Sequence, residues 1–247
     1  MQTPVYTTPV ISAETLEQFS YTNLPLFGKK PVGIVLLFHG LNATALRTEY
    51  NTFELFCAEH NLLTLFPYYG PWSWMNDDAI RYVDEIVDAA FERLNLPAFT
   101  PIIATGNSMG GLSSIIYTRY AKRTPKACFA NCPVCDLPYH ATERPDLPRT
   151  VYTAFSGAAC GLAEALVRHS PIHQAASMPR IPYYIVHGTA DTSVNKQMHS
   201  DRFVKAMREH GHELIYREVE GMQHCMLADV PEEETMWWES IVKAVNR

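Results

Sequence analysis

Short apolar runs alternate with longer amphipathic stretches along most of the chain. The apolar runs are continuous rather than alternating, which is typical of strands that are buried on both faces of a parallel sheet. Gly, Pro, Asn or His bounds each run, as expected at strand ends. We therefore predict strands at Val32–Phe38, Leu62–Pro67, Pro101–Thr105, Ala127–Asn131, Pro182–Val186 and Leu214–Val219.

The stretches between these strands have helical periodicity. In Ala79–Asn95, apolar residues recur every three or four positions and charged residues fill the positions between them, which indicates an amphipathic helix. Asn76-Asp77-Asp78 supplies its N-cap candidates, and Gly211 suits the C-terminal cap of a later helix. Further helices are predicted at Ala45–His60, Met109–Arg123, Asn195–His210 and Glu232–Val245.

This alternation predicts an α/β fold, with a mostly parallel, twisted sheet and helices on both faces. Residues 1–31 lack the alternation, and we expect one or two antiparallel edge strands there. Residues 133–179 interrupt it again, because they contain several prolines and a Gly/Ala-rich piece and are too long for an ordinary connection. We interpret 133–179 as a short cap inserted into a single domain that spans residues 1–247.

Composition supports a globular domain and excludes several classes of protein. Of the 247 residues 47% are hydrophobic, and 20 basic against 26 acidic residues give a net charge of −6, which offers no basic surface for nucleic acid. No apolar run approaches the ~20 residues of a membrane span, and the N-terminus lacks the features of a signal peptide. We therefore expect a cytoplasmic protein that binds neither nucleic acid nor membranes; its oligomeric state is left open.

A candidate nucleophile lies between a predicted strand and a predicted helix. The strand Pro101–Thr105 runs into GNSMGG at 106–111, so Ser108 occupies a G-x-S-x-G pattern in the strand-turn-helix context of a nucleophile elbow. Glycines at 106 and 110 keep side chains out of the sharp turn. The helix that follows directs free N–H groups towards an anion beside the serine oxygen. The alternative is a glycine-rich turn with an incidental serine.

A serine hydroxyl needs a base to take its proton, and the base needs a third group to orient it. Asp191 follows the strand Pro182–Val186, and His224 follows the next strand, Leu214–Val219. Parallel strands bring these loops to one edge of the sheet. The chain order serine, aspartate, histidine is the order of an α/β-hydrolase catalytic triad. Asp136, which also follows a strand, is the alternative acid.

On these residues the sequence resembles the serine α/β-hydrolases, and more narrowly the esterases related to the prolyl-oligopeptidase and dienelactone-hydrolase group. The resemblance implies two-step acyl transfer to water through an acyl-Ser108 intermediate, without a metal or organic cofactor. It also implies an oxyanion hole formed by the backbone N–H groups of Leu41 and Met109, although the HGGG run of lipases is absent. The matching elements are His39-Gly40, GNSMGG at 106–111, HGTAD-x-x-V at 187–194 and GMQH at 221–224.

Three aromatic residues are candidates for substrate binding. Tyr69, Trp72 and Trp74 lie in a loop that follows the strand Leu62–Pro67, at the same edge of the sheet as the triad. Planar amphipathic rings suit stacking on a sugar or an aryl acyl group. Packing of the loop against the helix that starts near Ala79 is the alternative.

A run of cysteines invites a zinc interpretation. Cys128, Cys132 and Cys135 are followed by His140, but a structural zinc site needs four converging ligands. Because Cys128 belongs to a buried strand pattern, we interpret the run as buried thiols and predict no metal site.

Together these features predict a serine carboxylic-ester hydrolase that acts on a small or carbohydrate-linked acyl ester of acetyl or feruloyl type. Family peptidases screen peptides with a large N-terminal propeller, which this sequence does not contain, so we expect an esterase rather than a peptidase. An aminopeptidase-like amide hydrolase and a non-catalytic binding protein with a hydrolase fold are the alternatives.

Overall fold

The computed structural model of the protein describes residues 10–43 and 47–247. Its centre is a seven-stranded sheet with the strand order β1-β3-β2-β4-β5-β6-β7. The strand β1 runs antiparallel to β3, and all other neighbours are parallel. The strands are β1 (Ser20–Thr22), β2 (Gly33–Phe38), β3 (Leu62–Pro67), β4 (Ile102–Asn107), β5 (Ala127–Asn131), β6 (Tyr183–Gly188) and β7 (Leu214–Val219).

Helices cover both faces of this sheet. Ile34 and Leu36 of β2 face one hydrophobic cluster, whereas Val35 between them faces another, as the two-residue period of a strand requires. Within the described ranges, no helix is both long and apolar enough to cross a bilayer. The helices are α1 (Leu16–Phe19), α2 (Thr52–Glu59), α3 (Asp77–Arg93), α4 (Met109–Tyr120), α5 (Leu137–Glu143), α6 (Leu147–Phe155), α7 (Leu162–Arg168), α8 (Pro171–Gln174), α9 (Arg202–Glu209) and α10 (Pro231–Asn246).

The mostly parallel α/β sheet predicted from the sequence is confirmed. Each predicted strand is present, with ends that differ by two residues at most, and β1 is the expected antiparallel edge strand. The chain passes from β2 to β3 on one side and then to β4 on the other, so the order reverses between β2 and β4. Ligand sites of open α/β sheets lie at the carboxyl ends of the strands beside such a reversal.

The helix predicted at Ala45–His60 is wrong at its start. The described part, α2, begins at Thr52, because Asn51 and Glu54 form a capping box in which each side chain accepts the other's backbone N–H at 2.9 Å. Such reciprocal bonds satisfy two amides that a helix start leaves free. Residues 44–46 of the predicted helix lie outside the described residues.

The four other predicted helices also differ from their predicted bounds, α3 and α10 by two residues at most at either end. The helix predicted at Asn195–His210 opens with a π-helical turn at Gln197–Asp201 before α9 begins, and the one predicted at Met109–Arg123 ends at Tyr120. The predicted N-cap of α3 is confirmed, because the side chain of Asn76 accepts the N–H of Ala79 at 2.9 Å.

Between β5 and β6 the chain forms α5 to α8, which occupy most of the predicted cap segment. Two hydrogen bonds join this segment to the loop before α3. Trp74 Nε1 donates to Thr150 Oγ1 at 3.2 Å, and Asn76 Nδ2 donates to the carbonyl of Ala154 at 2.8 Å. That this segment acts as a cap over the site stays a prediction.

Candidate active site

The turn between β4 and α4 holds Ser108 in a strained conformation. Its backbone has φ 59° and ψ −121°, which a non-glycine residue adopts only when the surroundings enforce it. A Cβ at Gly106 would lie 2.4 Å from the carbonyl oxygen of Gly110, and one at Gly110 would lie 2.2 Å from that of Phe38. Only glycine fits at either position, so the sequence pattern around Ser108 has a direct steric cause.

The two residues of the predicted oxyanion hole lie beside the serine, and their role as oxyanion donors stays a prediction. The amide of Met109 is the first of α4, and the first amides of a helix have no acceptor within it. Leu41 follows β2 and lines the same cavity as Ser108. The loop that carries Leu41 is fixed by the N–H of Asn42, which donates to the carbonyl of Pro71 at 2.8 Å.

The predicted acid and base are hydrogen-bonded to each other. His224 Nδ1 lies 2.7 Å from Asp191 Oδ2, and the carboxylate of Asp191 is fully buried. His187 Nε2 lies 3.0 Å from the same oxygen, while the N–H groups of Ser193 and Val194 donate to Oδ1 at 2.8 and 3.0 Å. Burial alone would raise the pKa of Asp191, but the hydrogen bonds from His187 and His224 hold it well below its usual range.

The loops that carry the acid and the base are held against each other. A Cβ at Gly188 would lie 2.0 Å from the carbonyl oxygen of Met222. Ala190 N donates to that carbonyl at 3.2 Å, and Gly221 N donates to Thr189 Oγ1 at 2.9 Å. These contacts place Asp191 and His224 within reach of each other although the two residues lie on separate loops.

Ser108 and His224 line one cavity of about 470 Å³. Among the described residues, the hydroxyl of Ser108 forms no hydrogen bond, and His224 Nε2 lies 3.5 Å from Cys225 Sγ. Burial lowers the pKa of His224, but hydrogen bonds with Asp191 and Cys132 outweigh it and raise the pKa to about 9. The structure thus joins the acid and the base by a direct hydrogen bond and places the serine in the cavity that the base lines.

The rival acid has a different environment. Asp136 caps α5 by accepting the N–H of Tyr139 at 3.1 Å, and its other oxygen accepts a bond from Arg202 at 3.0 Å. No described contact joins it to His224. The geometry therefore favours Asp191 as the group that orients the histidine.

Two thiols adjoin the base. Cys225 N donates to Cys132 Sγ at 3.4 Å. The hydrogen bond from the Cys225 thiol lowers the pKa of Cys132 to about 5 against the opposing effect of burial. Burial raises the pKa of Cys128 and Cys135, and both lie in another hydrophobic cluster. As predicted, all three cysteines of the run are buried thiols. Cys132 in addition adjoins His224 and Cys225, which the spacing of the run does not indicate.

The three predicted aromatic binding residues are divided between two cavities. Trp74 borders the Ser108 cavity, although it is only 1% exposed. Tyr69 and Trp72 line a separate cavity of about 530 Å³ that does not include the serine. Tyr69 is buried, stacks on His39 and donates to that residue's carbonyl at 3.3 Å. It belongs to the same hydrophobic cluster as Ala79 and Ile80, which favours the alternative that the loop packs against α3. A ligand role for the loop stays a prediction.

A buried polar cluster in the cavity wall was missed by the sequence analysis. Glu143 Oε2 bonds both His140 Nδ1 and His199 Nε2. His199 Nδ1 accepts the N–H groups of Cys135 and Asp136 at 3.0 and 3.2 Å, so its proton is on Nε2 and that nitrogen has no lone pair for a metal. His140 and His199 lie on different elements far apart in sequence, and no local pattern links them.

The charge state of this cluster follows from its hydrogen bonds. Burial would raise the pKa of Glu143, but the bonds from His140 and His199 bring it to about 2. Burial lowers the pKa of His140 despite the nearby carboxylate. His140 and Arg144 both line the Ser108 cavity, so one wall of the site is polar.

Comparisons with known proteins agree with this geometry. Residues 78–242 match the model of the prolyl oligopeptidase family, and a sequence search of curated proteins found no match. The solved acylaminoacyl peptidase of Pyrococcus horikoshii has a TM-score of 0.72 at 11% identity, over 89% of this chain and 38% of that one. A puromycin-hydrolyzing peptidase of Mycobacterium tuberculosis has a TM-score of 0.66 at 19% identity, over 85% and 34%.

A shorter solved protein is similar over nearly its whole length. The S-formylglutathione hydrolase of Agrobacterium tumefaciens has a TM-score of 0.66 at 17% identity, over 88% of this chain and 85% of that one. By contrast, this chain spans little more than a third of the two peptidases. Identities this low show a shared fold, and function must be argued from the site.

Proposed function

The chain belongs to the prolyl oligopeptidase family of serine hydrolases, and from this premise we propose that it hydrolyses carboxylic esters through an acyl-Ser108 intermediate. One observation carries the proposal. A hydrogen bond of 2.7 Å joins Asp191 to His224, and Ser108 lies in a strained turn whose cavity His224 also lines. Acid, base and nucleophile on three strand ends are the arrangement that acyl transfer needs.

The reaction follows from the roles of these groups. Ser108 Oγ attacks the ester carbonyl while the neutral form of His224 takes its proton at Nε2, and Asp191 keeps the other ring proton on Nδ1. Because the pKa of His224 is about 9, the population of this neutral form increases as the pH rises towards 9. The N–H groups of Leu41 and Met109 stabilise the oxyanion that forms. The imidazolium then protonates the departing alcohol, and the same nitrogen deprotonates the water that releases the acid.

This mechanism requires one change in the hydrogen bonding of His224. His224 Nε2 faces Cys225 Sγ at 3.5 Å and must meet the serine hydroxyl when the substrate binds. Hydrogen bonds of catalytic groups are often loose before the substrate arrives.

The cavity favours a small acyl group and a polar alcohol. Its volume of about 470 Å³ is within the range of small-molecule sites. Trp74 offers one aromatic face, whereas polar side chains line much of the rest. We therefore propose an acetyl or feruloyl ester of a carbohydrate as the substrate class. The polar lining residues are Asn42, Asn107, His140, Arg144 and Ser193.

Amide hydrolysis is the second candidate, because two of the similar proteins are an acylaminoacyl peptidase and a puromycin-hydrolyzing peptidase. The same serine, histidine and aspartate would perform it. Comparing a p-nitrophenyl ester with an amino-acyl p-nitroanilide separates the two functions, and we expect the ester to be cleaved with the higher kcat/KM.

The primary test is hydrolysis of p-nitrophenyl esters from acetate to octanoate by the wild type and by Ser108→Ala. We expect activity on the shortest esters and a loss of about 10³-fold or more in kcat on the substitution. Ser156→Ala, at an exposed position in the segment after α6, is the matched control and should retain full activity. Equal activity of Ser108→Ala and the wild type would refute the proposal.

A further inference from the structure

Three side chains beside the serine have the arrangement of a metal site. The Sγ atoms of Cys132 and Cys225 and a ring nitrogen of His224 all lie within 4.8 Å of one another. In tetrahedral zinc sites, Zn–S bonds of about 2.3 Å and Zn–N bonds of about 2.0 Å place ligand atoms roughly 3.5 to 3.8 Å apart. Cys225 Sγ and His224 Nε2, at 3.5 Å, already have this spacing.

The imidazole is oriented as metal-binding histidines usually are. His224 Nδ1 is bonded to the carboxylate of Asp191, which leaves the Nε2 lone pair for a cation, and a carboxylate behind the ring strengthens such a ligand. His187 is different, because Ser200 occupies its Nδ1 and Asp191 its Nε2. Two thiolates and one imidazole select zinc over magnesium or calcium, which prefer oxygen ligands.

The backbone holds both thiols in place. Cys132 has φ 45° and Cys225 has φ 59°, a left-handed conformation that is unfavourable for residues other than glycine. Cys132 is fixed by its N–H bond to the carbonyl of Val186 at 2.8 Å. A strained backbone of this kind persists only where the surrounding structure enforces it, and such residues are concentrated at functional sites.

A cation can reach these ligands through the cavity of the serine. Cys225 and His224 line that cavity together with Ser108, whereas Cys132 lies buried behind them. We propose that Cys132, Cys225 and His224 bind a zinc ion whose fourth position faces the cavity, and that the bound ion inhibits the hydrolase. The two cysteines bind as thiolates and His224 binds through an unprotonated Nε2, so any protons that these three groups carry are released to solvent. Inhibition follows because the Nε2 lone pair then belongs to the metal and cannot take the proton of Ser108.

The zinc site itself is independent of the proposed function, whereas the inhibition rests on it. Calorimetric titration of the full, reduced chain with Zn²⁺ should show one ion per chain. Cys132→Ser and Cys225→Ser should each weaken binding at least about tenfold, while Mg²⁺ should show no binding. Cys160→Ser is the matched control, because Cys160 is exposed and outside the cluster, and its affinity should equal that of the wild type.

Two further readouts make the outcome decisive. Co²⁺ should produce a thiolate-to-metal absorption band that both serine variants weaken, and thermal unfolding verifies that each variant is folded. Zn²⁺ should inhibit p-nitrophenyl acetate hydrolysis over the same concentrations that fill the site, and a chelator should restore it. Unchanged Zn²⁺ affinity in both folded serine variants would overturn the site. If the wild type cleaves no ester, the proposed function fails, and calorimetry with the Co²⁺ band still decides the metal site.

Discussion

Replacing Gly188 with alanine tests how closely the acid and base loops must approach. The added Cβ would lie 2.0 Å from the carbonyl oxygen of Met222, whereas real Cβ contacts essentially never fall below 3.0 Å. The obstacle is backbone rather than the end of a flexible side chain, so the two loops must separate by about 1 Å.

This displacement acts directly on the catalytic hydrogen bond. Asp191 and His224 lie close in sequence to the two colliding residues, and their bond of 2.7 Å lengthens beyond hydrogen-bonding range if the loops part by that amount. A misplacement of about 1 Å costs on the order of 100-fold in rate, or roughly 2.7 kcal/mol in the barrier. We therefore expect kcat of Gly188→Ala to fall about 100-fold.

The assay is p-nitrophenyl acetate hydrolysis, normalised to the folded fraction measured by circular dichroism and thermal unfolding. Gly157→Ala is the matched control, because a Cβ there meets nothing within 4 Å, and its kcat should stay within about twofold of the wild type. A kcat for folded Gly188→Ala that is also within twofold would refute the reasoning, since the loops would then tolerate separation.

Three other substitutions test the site and its support. Asp191→Asn should lower kcat by about 10⁴-fold, because the amide no longer holds the proton on His224 Nδ1; full activity in the ester assay would assign the acid elsewhere. Hydrogen bonds hold the pKa of Glu143 at about 2 against an ordinary 4.5, so its ionised form contributes up to about 3 kcal/mol of stability above pH 4.5 that is lost as pH falls towards 2. Urea unfolding of Glu143→Gln should therefore show a loss at pH 7 that shrinks below pH 4.5, and a loss independent of pH would contradict this. Asn76→Ala removes a helix cap and the bond to Ala154, and should lower the free energy of unfolding by about 1–2 kcal/mol; a denaturant midpoint equal to the wild type's would show that neither bond stabilises the fold.

Local sequence patterns predicted much of the fold and the main residues of the candidate site. The sheet was predictable because continuous apolar runs report strands buried on both faces, and each run has the length of one strand. The role of Ser108 as candidate nucleophile was predictable because the turn around it admits only glycine at positions 106 and 110. These two glycines appear in the sequence as a G-x-S-x-G pattern. The start of α2 could not be predicted, because helical periodicity does not show which residue is the N-cap, here Asn51.

The sequence by itself thus determined the α/β architecture and the chain order of Ser108, Asp191 and His224. Only the tertiary structure decided what surrounds them. Trp72 and Trp74 are two residues apart, yet they face different cavities because the backbone turns at Trp74, which has φ 49°. Cys132 and Cys225 are 93 residues apart and meet only because β5 and the loop after β7 end at the same edge of the sheet. Contacts of this kind depend on strand order and loop packing, which no local pattern records.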